Sequence, residues 1–357
     1  MNARAALKKN DVMTNFSPPP SARKFDLAKT YRPIESELKA TTEALREALR
    51  RSDPAFARYL DYSFELGGKR LRPALLLLSG RAWGAIERRH RLCAAALEMI
   101  HTGSLIHDDI LDGAKFRRQL ETFNAKWDSK RAVLVGDILI TLALDMICEC
   151  DDPVVFREMS AKCRATVEGE LFQTDSSGNF ELTVEDYRRI VLGKTASLIE
   201  CSTFLGGYLS GARDAELELF ATFGRSIGVA FQIVDDVLDL VGDEEKTGKT
   251  LGSDLANKKA TLPVIRYLES ASESDARSFR ERVERGVRPE ERMEIAALLR
   301  DSGAVDATFA DANRLIDEAL TTLATLERRA EELGRPSSSD AFESLAAVAR
   351  FVVGRDR

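Results

Sequence analysis

Residues 214–241 read DAELELFATFGRSIGVAFQIVDDVLDLV, twenty-eight positions without a proline. Apolar side chains recur around most of the helical circumference, the pattern of a helix buried on nearly all sides. Yet the run closes on Asp235, Asp236 and Asp239. Residues 91–111, RLCAAALEMIHTGSLIHDDIL, repeat the contradiction, ending in Asp108 and Asp109 with Asp112 just beyond. Outward from these two runs, no proline lies between Pro73 and Pro153 or between Pro153 and Pro263. So much chain without breakers is expected only where most of it is helix. Helical spacing is also read from Ile34 to Leu60 and over 73–83, 132–150, 154–173, 184–210, 261–270, 290–301, 304–333 and 340–353. Thr183 and Asp186 form a helix-entry signature, and 174–182 reads as a loop. No sustained strand alternation and no Asn-Gly or Asp-Gly hairpin is visible. The fold class expected is all-α, one helical domain over residues 31–357.

Composition narrows the function. The 357 residues carry 52 Lys and Arg against 58 Asp and Glu, a net charge of −6, which argues against nucleic-acid backbone as a partner. Five dispersed cysteines without zinc-ribbon spacing read as thiols in a reducing cytoplasm. No apolar run is read as a membrane span. Residues 1–30, basic and broken by Pro18, Pro19 and Pro20, are expected to form a disordered tail.

The two aspartate clusters share the spacing i, i+1, i+4. In a helix, i and i+4 stack on one face and i+1 turns about 100° away. Three carboxylates so close repel one another and resist burial unless a cation neutralises them. Oxygen-only donors favour a hard ion, Mg²⁺ above all, shared with substrate phosphates. Cations alternate with these clusters along the chain. Gly67-Gly68-Lys69-Arg70-Leu71-Arg72-Pro73 is a glycine turn entering a helix, suited to phosphate. Arg117, Arg118, Lys194, Lys249, Lys258 and Lys259 complete the set. A competing metal reading uses Glu87-x-x-His90 and Glu98-x-x-His101, the ligand pair of di-iron bundles. Those bundles take their pairs from different helices and need two further glutamates, and here both pairs fall within one short stretch.

The ordered set GGKRLRP, LIHDDILD followed by Arg117-Arg118, KTASL, GVAFQIVDDVLD, and Lys249 through Lys259-Ala-Thr-Leu-Pro resembles the all-trans polyprenyl diphosphate synthases, from Tyr31 to Arg355. The resemblance implies the isoprenoid synthase fold, with long helices around a deep apolar cavity, and a homodimer. It implies prenyl transfer from an allylic diphosphate (geranyl, farnesyl or geranylgeranyl) to isopentenyl diphosphate. Asp108, Asp112 and Asp235 become ligands of Mg²⁺, three ions per site in the family's pattern, with Asp109, Asp236 and Asp239 in support. Lys69, Arg72, His101 and Arg118 would hold the isopentenyl diphosphate, and Arg117, Lys194, Lys249 and Lys259 the allylic one. Thr195 and Gln232 would turn oxygen dipoles toward the developing cation. His107 is expected in a local hydrogen bond and His90 at the surface.

Gly103 and Ser104, five and four residues before Asp108, stand where short-chain relatives carry a bulky aromatic floor. Both are small, so an open floor and a long-chain product are expected, with transient membrane contact for its release. The other reading is that Gly103 permits close helix packing while Met99, Ile100 or Leu139 closes the cavity. Three departures from the family pattern stand out: Gln119-Leu120-Glu121 where Gly-x-Pro is usual, Asn257 for an acidic residue, and Lys258 for glycine. A shorter-chain synthase, a class I terpene cyclase and a non-catalytic partner subunit are the alternatives.

Overall fold

The computed structural model describes residues 26–66, 68–242 and 252–355. The helices, in chain order, are α1 Leu27–Tyr31, α2 Glu35–Leu49, α3 Ala57–Glu65, α4 Leu71–Trp83, α5 Arg88–Leu111, α6 Phe123–Lys126, α7 Ser129–Cys148, α8 Pro153–Asp175 and α9 Val184–Val191. They continue as α10 Ser197–Leu209, α11 Asp214–Val241, α12 Ser253–Ala256, α13 Leu262–Ser270, α14 Glu273–Glu284, α15 Pro289–Asp301, α16 Ala304–Glu332 and α17 Ser339–Val353. Side chains start many of them. Asp128 accepts from Arg131 N–H, Asp152 from Val154 and Val155 N–H, and Thr183 and Asp186 form the reciprocal capping box that their spacing predicts.

The two runs that define the fold class are the long helices α5 and α11. The first packs along α7, the second along α16, and α10 lies against both α4 and α11. Helix α4 is sheathed on every side, with Ala74 through Leu78 fully buried. Gly206 brings α10 onto the α4 backbone, since a Cβ there would run into the Leu76 carbonyl. Helix α11 is long and apolar enough to cross a membrane by length and composition, but most of it is buried inside the protein.

The structure adds to the sequence reading at several points. Leu27–Tyr31, across the end of the expected disordered tail, is a short helix whose Tyr31 hydroxyl donates to the Lys69 carbonyl (3.2 Å). The expected single helix 184–210 is divided by a wider π-helical turn, Leu192–Ala196. Helix α14 escaped periodicity because only Ala276, Phe279 and Val283 are buried in a heavily charged run. A two-residue ladder, β1 Phe116–Arg117 with β2 Leu120–Glu121, forms a minimal antiparallel hairpin where none was expected.

His90, expected at the surface, is fully buried. Its Nδ1 accepts the Glu87 N–H in a reciprocal cap, and its Nε2 pairs with the Ser210 hydroxyl (2.9 Å). Burial pushes its pKa from 6.5 down to about 4. The unfolded chain therefore binds more protons than the folded one between those values, so stability falls as pH drops through that window. Denaturant titrations from pH 7 to pH 4 should show a loss of roughly 3 kcal/mol from this residue, and His90→Gln should flatten that slope.

Candidate active site

The first triplet sits at the C-terminal end of α5, where the helix dipole disfavours negative charge, so its presence there requires compensation. Asp109 is buried and gripped by Arg117, whose Nε lies 2.9 and 3.0 Å from the two carboxylate oxygens and whose Nη2 lies 2.8 Å from Oδ1. Asp108 and Asp112 occupy the other face, as the i, i+4 spacing requires. Burial, with help from Glu170 and Asp112, lifts the Asp108 pKa to about 6 in spite of Lys194 and Arg117. Asp112 is exposed and accepts the Lys259 ammonium at 2.9 Å.

The second triplet closes α11. Asp235 lies 3.5 Å from Nη1 of Arg355, a buried guanidinium stacked 3.9 Å from the Phe231 ring. Asp236 is buried and accepts the Tyr187 hydroxyl (2.6 Å) and the Gln232 amide (2.7 Å). Thr195 in turn donates to Gln232 Oε1 (2.7 Å). Burial and the neighbouring Asp254 push the Asp236 carboxyl well above the usual range, against the pull of these two donors. Asp239 accepts the Ser253 hydroxyl (2.7 Å) and the backbone N–H groups of Ser253 and Asp254, so it fixes the start of α12.

Two lysines lie beside the motifs. Lys259 reaches from Asp112 to Asp254 (3.9 Å). Burial works against its charge, but Asp254 and Asp112 outweigh it and hold the pKa above the ordinary value. Lys194, on the π-helical turn, pairs with Glu170 and donates to Gln173 (2.7 Å) on α8. That approach depends on Gly169, where any Cβ would strike the Gly193–Lys194 backbone. Lys249 lies outside the described residues.

The expected isopentenyl side gathers a third group. Arg118 donates to the Leu66 carbonyl (2.8 Å) and lays its guanidinium where a Gly68 side chain would stand. The Lys69 ammonium lies 4.7 Å above the Phe351 ring. Burial lowers the Arg72 pKa to about 10 although the buried Glu98 supports its charge. Burial, then Arg72, Arg118 and Arg117, hold His101 well below its ordinary value, so the imidazole is neutral. Sequence reading missed Glu98 in this role, along with Glu170, Gln173, Tyr187 and Asp254. Glu170 and Gln173 carried a signal, polar residues at i, i+3 on a partly apolar helix. Tyr187 and Asp254 carried none, because only folding brings them to Asp236. Among the described residues, no three His, Cys, Asp or Glu side chains converge closely enough to hold a metal ion by themselves, which leaves both Glu-x-x-His pairs without a di-iron arrangement.

The family model described as polyprenyl synthetase matches residues 53–301. The chain belongs to the polyprenyl synthetase family. It is 35% identical over 321 residues to the short chain isoprenyl diphosphate synthase of Methanothermobacter thermautotrophicus, covering 88% of this chain and 95% of that protein. Among solved structures it resembles a decaprenyl diphosphate synthase from Rhodobacter capsulatus (TM-score 0.83, 32% identity, 93% of this chain and 100% of that one). It also resembles a polyprenyl synthase from Caulobacter crescentus complexed with calcium and isoprenyl diphosphate (TM-score 0.84, 30% identity, 93% and 98%). As a polyprenyl synthetase it is a prenyltransferase with the isoprenoid synthase fold.

Two details bear on the expected cavity floor and on the segment after the first motif. Gly103 does not open toward the first motif: five residues along a helix turn it about 140° from Asp108. It lies where α5 meets α7, and a Cβ there would stand 3.0 Å from the Gly136 carbonyl and 3.2 Å from Ile140. The close-packing reading therefore describes Gly103, and Ser104, about 40° from Asp108, is the small residue on the site's face. Second, Arg118 and Gln119 form the tip of the β1–β2 hairpin with φ of 51° and 68°. A two-residue turn with both centres left-handed matches the twist of a hairpin but strains side chains other than glycine and asparagine. Tyr62 secures the strand after the turn, donating to the Glu121 carbonyl (2.7 Å). Gln119→Gly should relieve about 1 kcal/mol and raise the thermal midpoint by roughly 2 °C in calorimetry.

Proposed function

We propose that this prenyltransferase, acting in the cytoplasm, condenses isopentenyl diphosphate with geranyl, farnesyl or geranylgeranyl diphosphate. The reaction is Mg²⁺-dependent and head-to-tail, and the product is a long-chain all-trans polyprenyl diphosphate. The observation that carries the reading is the pair of carboxylate clusters at the ends of α5 and α11, with Lys259 held between Asp112 of the first cluster and Asp254 on α12. On the other side stand Arg72, His101 and Arg118.

The donors fit Mg²⁺ held jointly with a diphosphate. Asp108, Asp112 and Asp235 offer only oxygen, and a cation would offset the burial that raises the Asp108 pKa to about 6. When bound, the metal would supply Lewis-acid stabilisation of the leaving diphosphate. The chain's own groups do the rest. Lys194 and Lys259 exchange their carboxylate partners for phosphate oxygens. Arg72 and Arg118 anchor the isopentenyl diphosphate, with neutral His101 as a hydrogen-bonding rather than charged partner. As the allylic C–O bond breaks, its electron pair leaves with the diphosphate. The oxygens of Thr195 and Gln232 face the cation left behind. The isopentenyl double bond then forms the new C–C bond, and the neighbouring carbon gives up a proton to an oxygen of the departed diphosphate, which leaves a new double bond. The apolar helix faces exclude the water that would quench the cation.

The five cysteines are all thiols, and the sulfurs of Cys93 and Cys150 lie unbonded at 3.6 Å, in keeping with a reducing compartment. Val133, Leu134 and Leu144 on α7 and Phe156, Val167 and Leu171 on α8 are exposed apolar residues. A face of this kind suits a second copy of the chain, and we infer a homodimer. Sedimentation should give twice the chain mass, and Leu134→Glu should shift it toward the monomer. The likeness to a decaprenyl diphosphate synthase and the small Ser104 support a long product. Ser104→Phe should shorten it on a chromatogram, and an unchanged product distribution would count against the open face. Incubation with isopentenyl and farnesyl diphosphates plus Mg²⁺ should yield longer polyprenyl diphosphates, whereas unchanged substrates would defeat the reading. Asp108→Ala or Asp235→Ala should each reduce turnover by roughly 10²-fold or more with circular dichroism near wild type.

A further inference from the structure

The allylic side contains a chain of hydrogen bonds that converges on one carboxylate. Tyr187 and Asp236 are both buried, the tyrosine on α9 and the aspartate on α11. The Tyr187 hydroxyl gives its only proton to Asp236 Oδ2 (2.6 Å). The other carboxylate oxygen, Oδ1, accepts from the Gln232 amide nitrogen (2.7 Å), one helical turn earlier on α11. Two donors facing one carboxyl group favour its ionised form, and with tyrosine on Oδ2 the glutamine NH₂ takes Oδ1. The amide thus lies with NH₂ toward Asp236 and Oε1 toward Thr195, whose hydroxyl donates to it at 2.7 Å. A side-chain amide has two near-equivalent orientations, and in this site they differ chemically. One presents a carbonyl with a spare lone pair, and the other presents two N–H groups that would repel a positive centre.

We propose that Tyr187 is a positioning residue that, through Asp236, fixes which face of the Gln232 amide meets the allylic carbon. This rests on the prenyl-transfer reading above and assigns Asp236 a role different from that of its neighbour Asp235. Each Asp236 oxygen already accepts from a protein donor, and the role assigned to it here is to hold an oxygen dipole. Thr195 receives the same benefit, because a correctly turned Oε1 accepts its proton and leaves the hydroxyl lone pairs free. The geometry also explains why Thr195 lies on the π-helical turn: the extra residue in that turn brings it across from α11.

The test is a double-mutant cycle on the full-length enzyme with isopentenyl and farnesyl diphosphates. Tyr187→Phe removes one hydroxyl and should lower kcat roughly tenfold, with KM for both substrates near wild type. Gln232→Leu removes the amide altogether. If tyrosine acts through glutamine, Tyr187→Phe should cause no further loss in the Gln232→Leu background. Asp236→Asn gives a second entry should the phenylalanine variant fold poorly, because it keeps the shape and allows the amide to turn over. Calorimetric titration of Mg²⁺ with inorganic diphosphate present should give the same affinity for wild type, Tyr187→Phe and Asp236→Asn. Multiplicative losses in the double variant, a weakened Mg²⁺ affinity, or an unchanged kcat in an active enzyme would each overturn the inference. A wild-type protein that consumes neither substrate would instead overturn the prenyl-transfer reading, and this inference with it.

Discussion

Like charge crowded onto the ends of buried helices is the constraint around which this protein is organised. A core helix such as α5 or α11 gains its place by excluding water, and a carboxylate at its end loses hydration that only a cation or a donor can replace. Each aspartate has its own solution. Asp109 takes Arg117, Asp235 takes Arg355, Asp236 takes a phenol and an amide, and Asp239 takes the start of α12. Asp108 and Asp112 are the least settled, one pushed toward neutrality by burial and the other sharing a lysine with Asp254. A site whose charges are partly borrowed from one another is prepared to exchange those partners for a polyanion and its metal.

The same economy shows in the packing. Glycines stand where a helix must come close enough to deliver a charged group. Gly169 admits the Lys194 backbone to α8, and Gly68 leaves room for the Arg118 guanidinium. The departures from the family pattern fall in the segments that carry these cations. Gln119 tips the hairpin with a left-handed backbone, and Lys258 also has positive φ while its ammonium donates to the Glu284 carbonyl at the end of α14 (3.0 Å). Each introduces strain that a local contact must balance, Tyr62 in the first case and the α14 terminus in the second.

Much of the architecture was legible because helical periodicity and the absence of proline are local signals. The i, i+1, i+4 spacing likewise gave the division of Asp108 and Asp112 from Asp109 before any coordinates. What remained hidden was of two kinds. Buried polar partners such as Tyr187, Asp254 and the His90–Ser210 pair depend on segments far apart in the chain, so no spacing announces them. Geometry that breaks a period was hidden as well. The π-helical turn reads as ordinary helix, and of the two readings of Gly103 the contact of α5 with α7 favours close packing. Helix α14 was lost because its charges mask a narrow apolar stripe.

The wider turn at Leu192–Ala196 has a consequence for how such a site can change over time. An extra residue wound into one turn offsets everything on one side of it by about 100° relative to the other. Lys194 and Thr195 sit within that offset, while α9 and α10 keep their own faces toward the core. Removing a residue there would force one helix to rotate its apolar face outward, and adding one would do the same in the opposite sense. Point substitutions can adjust this part of the molecule by degrees, but its length is a discrete trait, inherited whole or lost together with the fold.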